Sequence, residues 1–203
     1  MKLKNNWDLF IKAGARLYSE GDFRAAVDNY EAALNEARAA ANNQDGEAIA
    51  LEGLGQCYTA MAEYSRAQDT FKEVLKLKES NQGPESIETL EVLIHLLVAC
   101  HKGGKTQEAM PIAERVYQLG LTIFGPANIH MAKITHGIAK FLLDVGQSSD
   151  SESMFQYALQ ILSSNPDEQN LYKEAIVTDY TNALRNWGRE TEAQQILQQF
   201  GLI

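Results

Sequence analysis

The sequence predicts an all-α fold, a solenoid of five helical hairpins, and three observations carry that prediction. The first is amphipathic spacing. Within residues 51–75, Leu51, Leu54, Gly55 and Tyr58, then Tyr64, Ala67 and Phe71, fall three and four residues apart in two runs with a break near Ala62. That is the pattern of two short helices joined by a tight turn. The second is recurrence: Ala67 has counterparts at Ala26, Ala109, Ser151 and Ala193, at intervals of 41, 42, 42 and 42 residues. The third is the turn itself, which keeps the same register at Gly21, Ala62, Gly104, Gly146 and Gly188. Glycine disfavours helix interiors and marks helix ends.

Further columns hold the same period. Four residues after the alanine stand Tyr30, Phe71, Ala113, Phe155 and Leu197. In the first helix of each pair a close-contact position reads Gly14, Gly55, Leu97, Ala139 and Thr181, followed three residues on by Leu17, Tyr58, Cys100, Leu142 and Leu184. Taken in order, the hairpins are expected at about 7–40, 47–79, 85–124, 128–163 and 168–200, all within one domain, 1–203. Asn42 to Gly46 reads as a polar loop. Pro84 is expected at the start of the third hairpin, where its missing N–H costs nothing. Pro111 is expected to bend or delay the second helix of that hairpin rather than break it. Gly125-Pro126 separates the third hairpin from the fourth, and Ser148 or Ser149 is expected to cap the second helix of the fourth. Asn165-Pro166-Asp167 leads into the fifth.

Composition narrows the function. Of 203 residues 45% are hydrophobic and 22% charged, which suits a soluble globular chain with a sizeable core. A formal net charge of −9 argues against nucleic acid as a partner, because phosphate binding needs a concentrated basic face. The N-terminal residues lack the apolar region of a secretory signal, and no apolar run is long enough to span a bilayer, so a cytoplasmic protein without membrane insertion is expected. Cys57 and Cys100 fall inside apolar helical patterns and read as buried free thiols. There is no Gly-rich phosphate loop, no Gly-x-Ser-x-Gly and no Cys-x-x-Cys. His95, His101, His130 and His136 include no pair at i, i+4, the spacing that puts two imidazoles on one helical face. No enzyme activity, cofactor or metal is therefore expected.

The first helix of the second hairpin carries Leu-Gly-x-x-Tyr at Leu54, Gly55 and Tyr58, and its second helix carries Ala-x-x-x-Phe at Ala67 and Phe71. This resembles the tetratricopeptide repeat. The ordinary repeat has about 34 residues, and the longer unit here is similar to that of kinesin light chains and of many bacterial proteins built on it. Residues 115–130, with Gly125-Pro126 and His130 between repeats, share that likeness. The resemblance covers essentially the whole chain and implies a right-handed α-α superhelix that binds proteins or peptides. It does not extend to a kinesin-binding role. The two-carboxylate clamp of chaperone-binding family members is absent, since Ile11, Ala15, Gly53, Glu91 and His95 occupy the matching positions.

The same resemblance implies a concave groove lined by the first helix of each hairpin. Its columns would be Ile11, Ala15 and Tyr18; Glu52, Gln56 and Thr59; Ile94, Val98 and His101; His136, Lys140 and Leu143; and Thr178, Asn182 and Arg185, with Lys133 one turn before His136. Each triplet falls at i, i+4, i+7 and so shares a helical face. The expected partner is a protein or an extended peptide. Its apolar side chain would meet Ile94 and Val98, and its acidic group or C-terminal carboxylate would meet Lys140 and Arg185. Ile196, Leu197, Phe200, Leu202 and Ile203 would lie at an end with no further solvating helix. They either pack back on the fifth hairpin or form a homodimer or partner contact. The predicted role is a non-enzymatic scaffold or adaptor. The alternatives are a receptor for a small signalling peptide and an assembly or secretion chaperone for a client segment.

Overall fold

The computed structural model describes residues 6–40, 43–165 and 172–203. The described residues form ten helices and no strand: α1 (Trp7–Glu20), α2 (Phe23–Ala39), α3 (Gln44–Ala60), α4 (Tyr64–Gln82), α5 (Ile87–Lys102), α6 (Thr106–Phe124), α7 (Ile129–Asp144), α8 (Ser148–Ser164), α9 (Lys173–Asn186) and α10 (Glu190–Gln199). They make the five expected hairpins, each an odd-numbered helix followed by an even-numbered one. The expected start of the fifth hairpin at residue 168, with Pro166 and Asp167 before it, lies outside the described residues.

Every hairpin turns in the same way. Gly21, Gly104, Gly146 and Gly188 adopt left-handed backbone (φ +83°, +72°, +81° and +78°), and Ala62 does so in the second hairpin at φ +60°. The next residue then donates its N–H back across the turn, from Asp22 to Leu17, Glu63 to Tyr58, Lys105 to Cys100, Gln147 to Leu142 and Arg189 to Leu184, at 2.8–3.0 Å. This bond is the Schellman closure, which satisfies a carbonyl that the helix end would otherwise leave open. The acceptors are the very column that the sequence period picks out.

The chain divides into two compact units, Met1–Arg115 and Val116–Ile203. In unit 1, α1 packs on α2 and on α3, and α3 on α4 and α5. Gly14 lies against the Tyr30 ring, where a built Cβ would come within 3.0 Å, and Gly55 against Phe71 at 2.7 Å. In unit 2, α7 packs on α8 and α9, and α9 on α10. Phe155, Ile176 and Leu184 are completely enclosed there. The alanine column is buried at all five positions, and at Ser151 the hydroxyl donates to the Ala139 carbonyl on the facing helix at 2.8 Å. Cys57 and Cys100 are buried free thiols, and burial pushes the Cys57 pKa up to about 11.

Several local expectations are corrected. The second hairpin starts at Gln44, inside the stretch read as a loop, because the Asn43 side chain accepts from the Gly46 N–H and caps α3. Pro84 precedes the third hairpin, whose cap is Ser86, with Oγ accepting from Thr89 N–H at 3.1 Å. Pro111 does not delay α6, which begins two residues after its turn glycine like the other second helices. Neither Ser148 nor Ser149 is the N-cap of α8. That place falls to Gln147, which makes no side-chain capping bond.

Candidate partner-binding surface

The odd-numbered helices bury the faces that meet their neighbours and leave one column open. In α3, Leu51, Leu54, Cys57 and Tyr58 are buried, whereas Glu52, Gln56 and Thr59 are half-buried. The Thr59 hydroxyl donates to the Gly55 carbonyl (2.8 Å), a bond within its own helix. In α5, Leu93, Leu96, Leu97 and Cys100 are buried, whereas Ile94 and His101 are half-buried and Val98 is 37% exposed. Exposed Ile49 lies on α3 one residue after buried Ala48. On α1, Ala15 is exposed, Ile11 is half-buried, and the Tyr18 ring leans on Phe23 at 5.3 Å. Unit 1 thus offers a face of aliphatic and uncharged polar groups. Its one predicted groove charge is neutralised, since Glu52 pairs with Lys78 of α4 at 2.8 Å.

Unit 2 concentrates charge instead. Lys133, Lys140, Thr178, Asn182 and Arg185 are exposed, and His136 and Leu143 are half-buried. Lys140 and His136, one turn apart on α7, both reach the carboxylate of Asp179 on α9, at 2.8 and 2.9 Å. The His136 ring also leans on Phe155, with centroids 6.0 Å apart. Burial pushes the imidazole pKa below its ordinary value, although Asp179 pulls it back in part. Burial alone would raise Asp179, but its bonds to Lys140 and His136 outweigh that and hold the carboxyl below the usual range. Arg185 pairs with Glu190 of α10 at 3.2 Å and touches Asn182 Oδ1 at 3.4 Å. Lys133 lies over the Tyr172 ring, 5.2 Å from its centroid.

The structure therefore brings Lys140, His136 and Asp179 together, and separately Asn182, Arg185 and Glu190. The three carboxylate or amine partners Lys78, Asp179 and Glu190 were not anticipated. A signal for Asp179 exists in the sequence: it stands 42 residues after Gly137, next to the groove column, as His95 stands 42 before. Among the C-terminal residues Phe200 is buried, Ile196, Leu197 and Leu202 are half-buried, and Ile203 is 70% exposed. Among the described residues no three His, Cys, Asp or Glu side chains are grouped so as to hold a metal ion, and no helix is long and apolar enough to cross a membrane.

Paired helices at a fixed period, with one open column on the first helix of each pair, define an α-helical repeat protein. Residues 11–80 match the tetratricopeptide repeat family model. That segment carries tetratricopeptide repeats, and the fold of the chain is similar to that of solved tetratricopeptide-like repeats. No curated protein sequence matches the chain. Among solved structures, the nearly identical TPR-like repeats of a candidate kinesin light chain from Podosopora anserina superpose with a TM-score of 0.83 at 17% identity, covering 100% of this chain and 96% of that one. A Rap protein complexed with competence and sporulation factor gives 0.73 at 12% identity, over 98% of this chain and 54% of the longer Rap chain. YrrB, a TPR protein with an unusual peptide-binding site, gives 0.58 at 16% identity, over 98% and 87%.

Proposed function

We propose that this chain is a non-enzymatic, cytoplasmic scaffold that holds an extended peptide or a partner segment on the open column of its odd-numbered helices. The observation that carries the reading is that column. Gln56, Ile94, Val98, Lys140 and Asn182 stay at least partly exposed in helices whose other faces are buried. The similar folds of YrrB, with its peptide-binding site, and of Rap, complexed with its factor, support the same use. In unit 1, taken by itself, a ligand's apolar side chain meets Ile94 and Val98. In unit 2 an acidic group or C-terminal carboxylate displaces Asp179 from Lys140, or Glu190 from Arg185, exchanging one charge-assisted bond for another. A homodimer contact through Ile196 to Ile203 is a second surface in this reading, and sedimentation at two concentrations tests it.

The test compares capture from the source lysate by wild type and by Lys140→Glu, Arg185→Glu, with equal helicity checked for both. A partner held by wild type and lost by the variant supports the reading. Equal retention moves the site off these helices. The captured partner then separates the finer roles: saturation by a short free peptide marks a receptor, and preference for an unfolded segment marks a client chaperone.

A further inference from the structure

The even-numbered helices are joined differently in the two units. In unit 1, Arg38 of α2 pairs with Glu73 of α4, and Glu79 of α4 with Arg115 of α6. Lys72 of α4 also reaches Glu108 of α6, at 3.2 Å. In the repeat register, Arg38 and Glu79 share a column with Ser163, and Glu73 and Arg115 share one with Gln199. Likewise Lys72 corresponds to Gln156, and Glu108 to Glu192. Where α8 and α10 should be tied, Ser163 therefore faces Gln199 and Gln156 faces Glu192. Neither combination can make an ion pair. Glu192 is held by Arg189 through two bonds of 2.7 Å, and Arg189, the N-cap of α10, ties that end of the helix to Glu152 of α8 at 2.8 Å, so the untied stretch lies beyond it.

A cleft of about 380 Å³ opens at that place, within the range of ligand sites. Gln156 and Gln160 line it from α8, Gln195 and Gln199 from α10, and Tyr180 and Ile196 add apolar surface. The amides of Gln160, Gln195 and Gln199 make no hydrogen bond among the described residues. Each carboxamide offers one acceptor and two donors, the groups that a peptide backbone requires. The two on each wall stand one helical turn apart, about 6 Å. Alternate residues of an extended strand are about 6.6 Å apart. No cation lines the cleft, and its single carboxylate is already neutralised.

We propose that the α8–α10 cleft is a second binding site, built for an extended, uncharged polypeptide segment whose backbone is met by the glutamine amides. It lies on the even-numbered helices of unit 2, so it stands or falls apart from the column on the odd-numbered ones. The probe is a mixture of N-acetylated, C-amidated heptapeptides made without Asp, Glu, Lys or Arg, titrated against the full chain. The variants Ser163→Glu, Gln199→Arg and Ser163→Arg, Gln199→Glu install the two ion pairs that the same columns carry in unit 1, so they should close the cleft without harming the fold. Both should weaken the best peptide pool at least tenfold with melting temperature preserved, and Lys140→Glu, Arg185→Glu should leave it unchanged. No binding by wild type, equal binding by both closing variants, loss in the Lys140/Arg185 variant, or stronger binding of a matched acidic library would each overturn the proposal.

Discussion

Gly53 in unit 1 and Gly137 in unit 2 hold the same place in the repeat and meet opposite surroundings. A Cβ built on Gly53 would run into the ring of Tyr30, whereas one built on Gly137 meets nothing within 4 Å. Charge shows the same divergence. Unit 1 laces its even-numbered helices with ion pairs along their length, while unit 2 ties them by charge at the start of α10, through Arg189 and Glu152, sets glutamines beyond that point, and gathers charge on its odd-numbered helices at Asp179. The difference teaches that the turn and the buried columns make the hairpin, and that the positions between hairpins vary without disturbing it. What distinguishes the two units of this chain is therefore written between the hairpins.

Four predictions press on that comparison. The largest effect is at the glycine pair: Gly53→Ala should cost about 2–3 kcal/mol by overpacking against Tyr30. Gly137→Ala should gain about 0.5–1 kcal/mol, because it removes a flexible residue from a helix at no steric cost. Urea denaturation of both variants checks this, and equal signs would show that the two sites are not distinct.

Next comes Asp179→Asn, which should destabilise by about 1–2 kcal/mol through loss of charge-assisted bonds to Lys140 and His136. It should also steepen the acid response. The pKa of His136 in the fold lies below the ordinary imidazole value of about 6.5. As pH falls through that range the unfolded chain binds a proton that the folded chain resists, so stability is full above it and declines below it. Without Asp179 the imidazole is held lower still, and melting temperatures between pH 8 and pH 5 should diverge further from wild type as the pH drops.

A smaller effect belongs to the second turn. Ala62→Gly should stabilise by about 0.5–1 kcal/mol, since Ala62 is the only described residue other than glycine with positive φ. Calorimetry should place its melting temperature above wild type. The smallest belongs to the half-buried Glu79–Arg115 pair: Glu79→Gln should cost at most about 1 kcal/mol, with the difference shrinking in high salt.

The fold was legible because its signals are local. A period of 41–42 residues, a turn residue in fixed register and the Ala26, Ala67, Ala109, Ser151 and Ala193 column can all be read along the chain, and the Schellman bonds fall on a column that the same period marks. The site was legible only in part. Periodicity identifies Lys140 and Arg185 as facing outward, but their neutralisation by Asp179 and Glu190 depends on how adjacent helices slide past each other. That register is set by packing. Likewise the capping of α3 by Asn43 turns on one side-chain rotamer, which spacing does not reveal.

The order of charges along the even-numbered helices carries a last implication, for how such an array can change by recombination. The second hairpin presents Glu73 to the first and Glu79 to the third, and both neighbours answer with arginine. A tandem copy of that hairpin would set Glu79 against a second Glu73. Its excision would bring Arg38 to Arg115. Either event puts like charges face to face at a joint now held by opposite ones, so a chain whose repeats look interchangeable carries a sequence order that resists slippage.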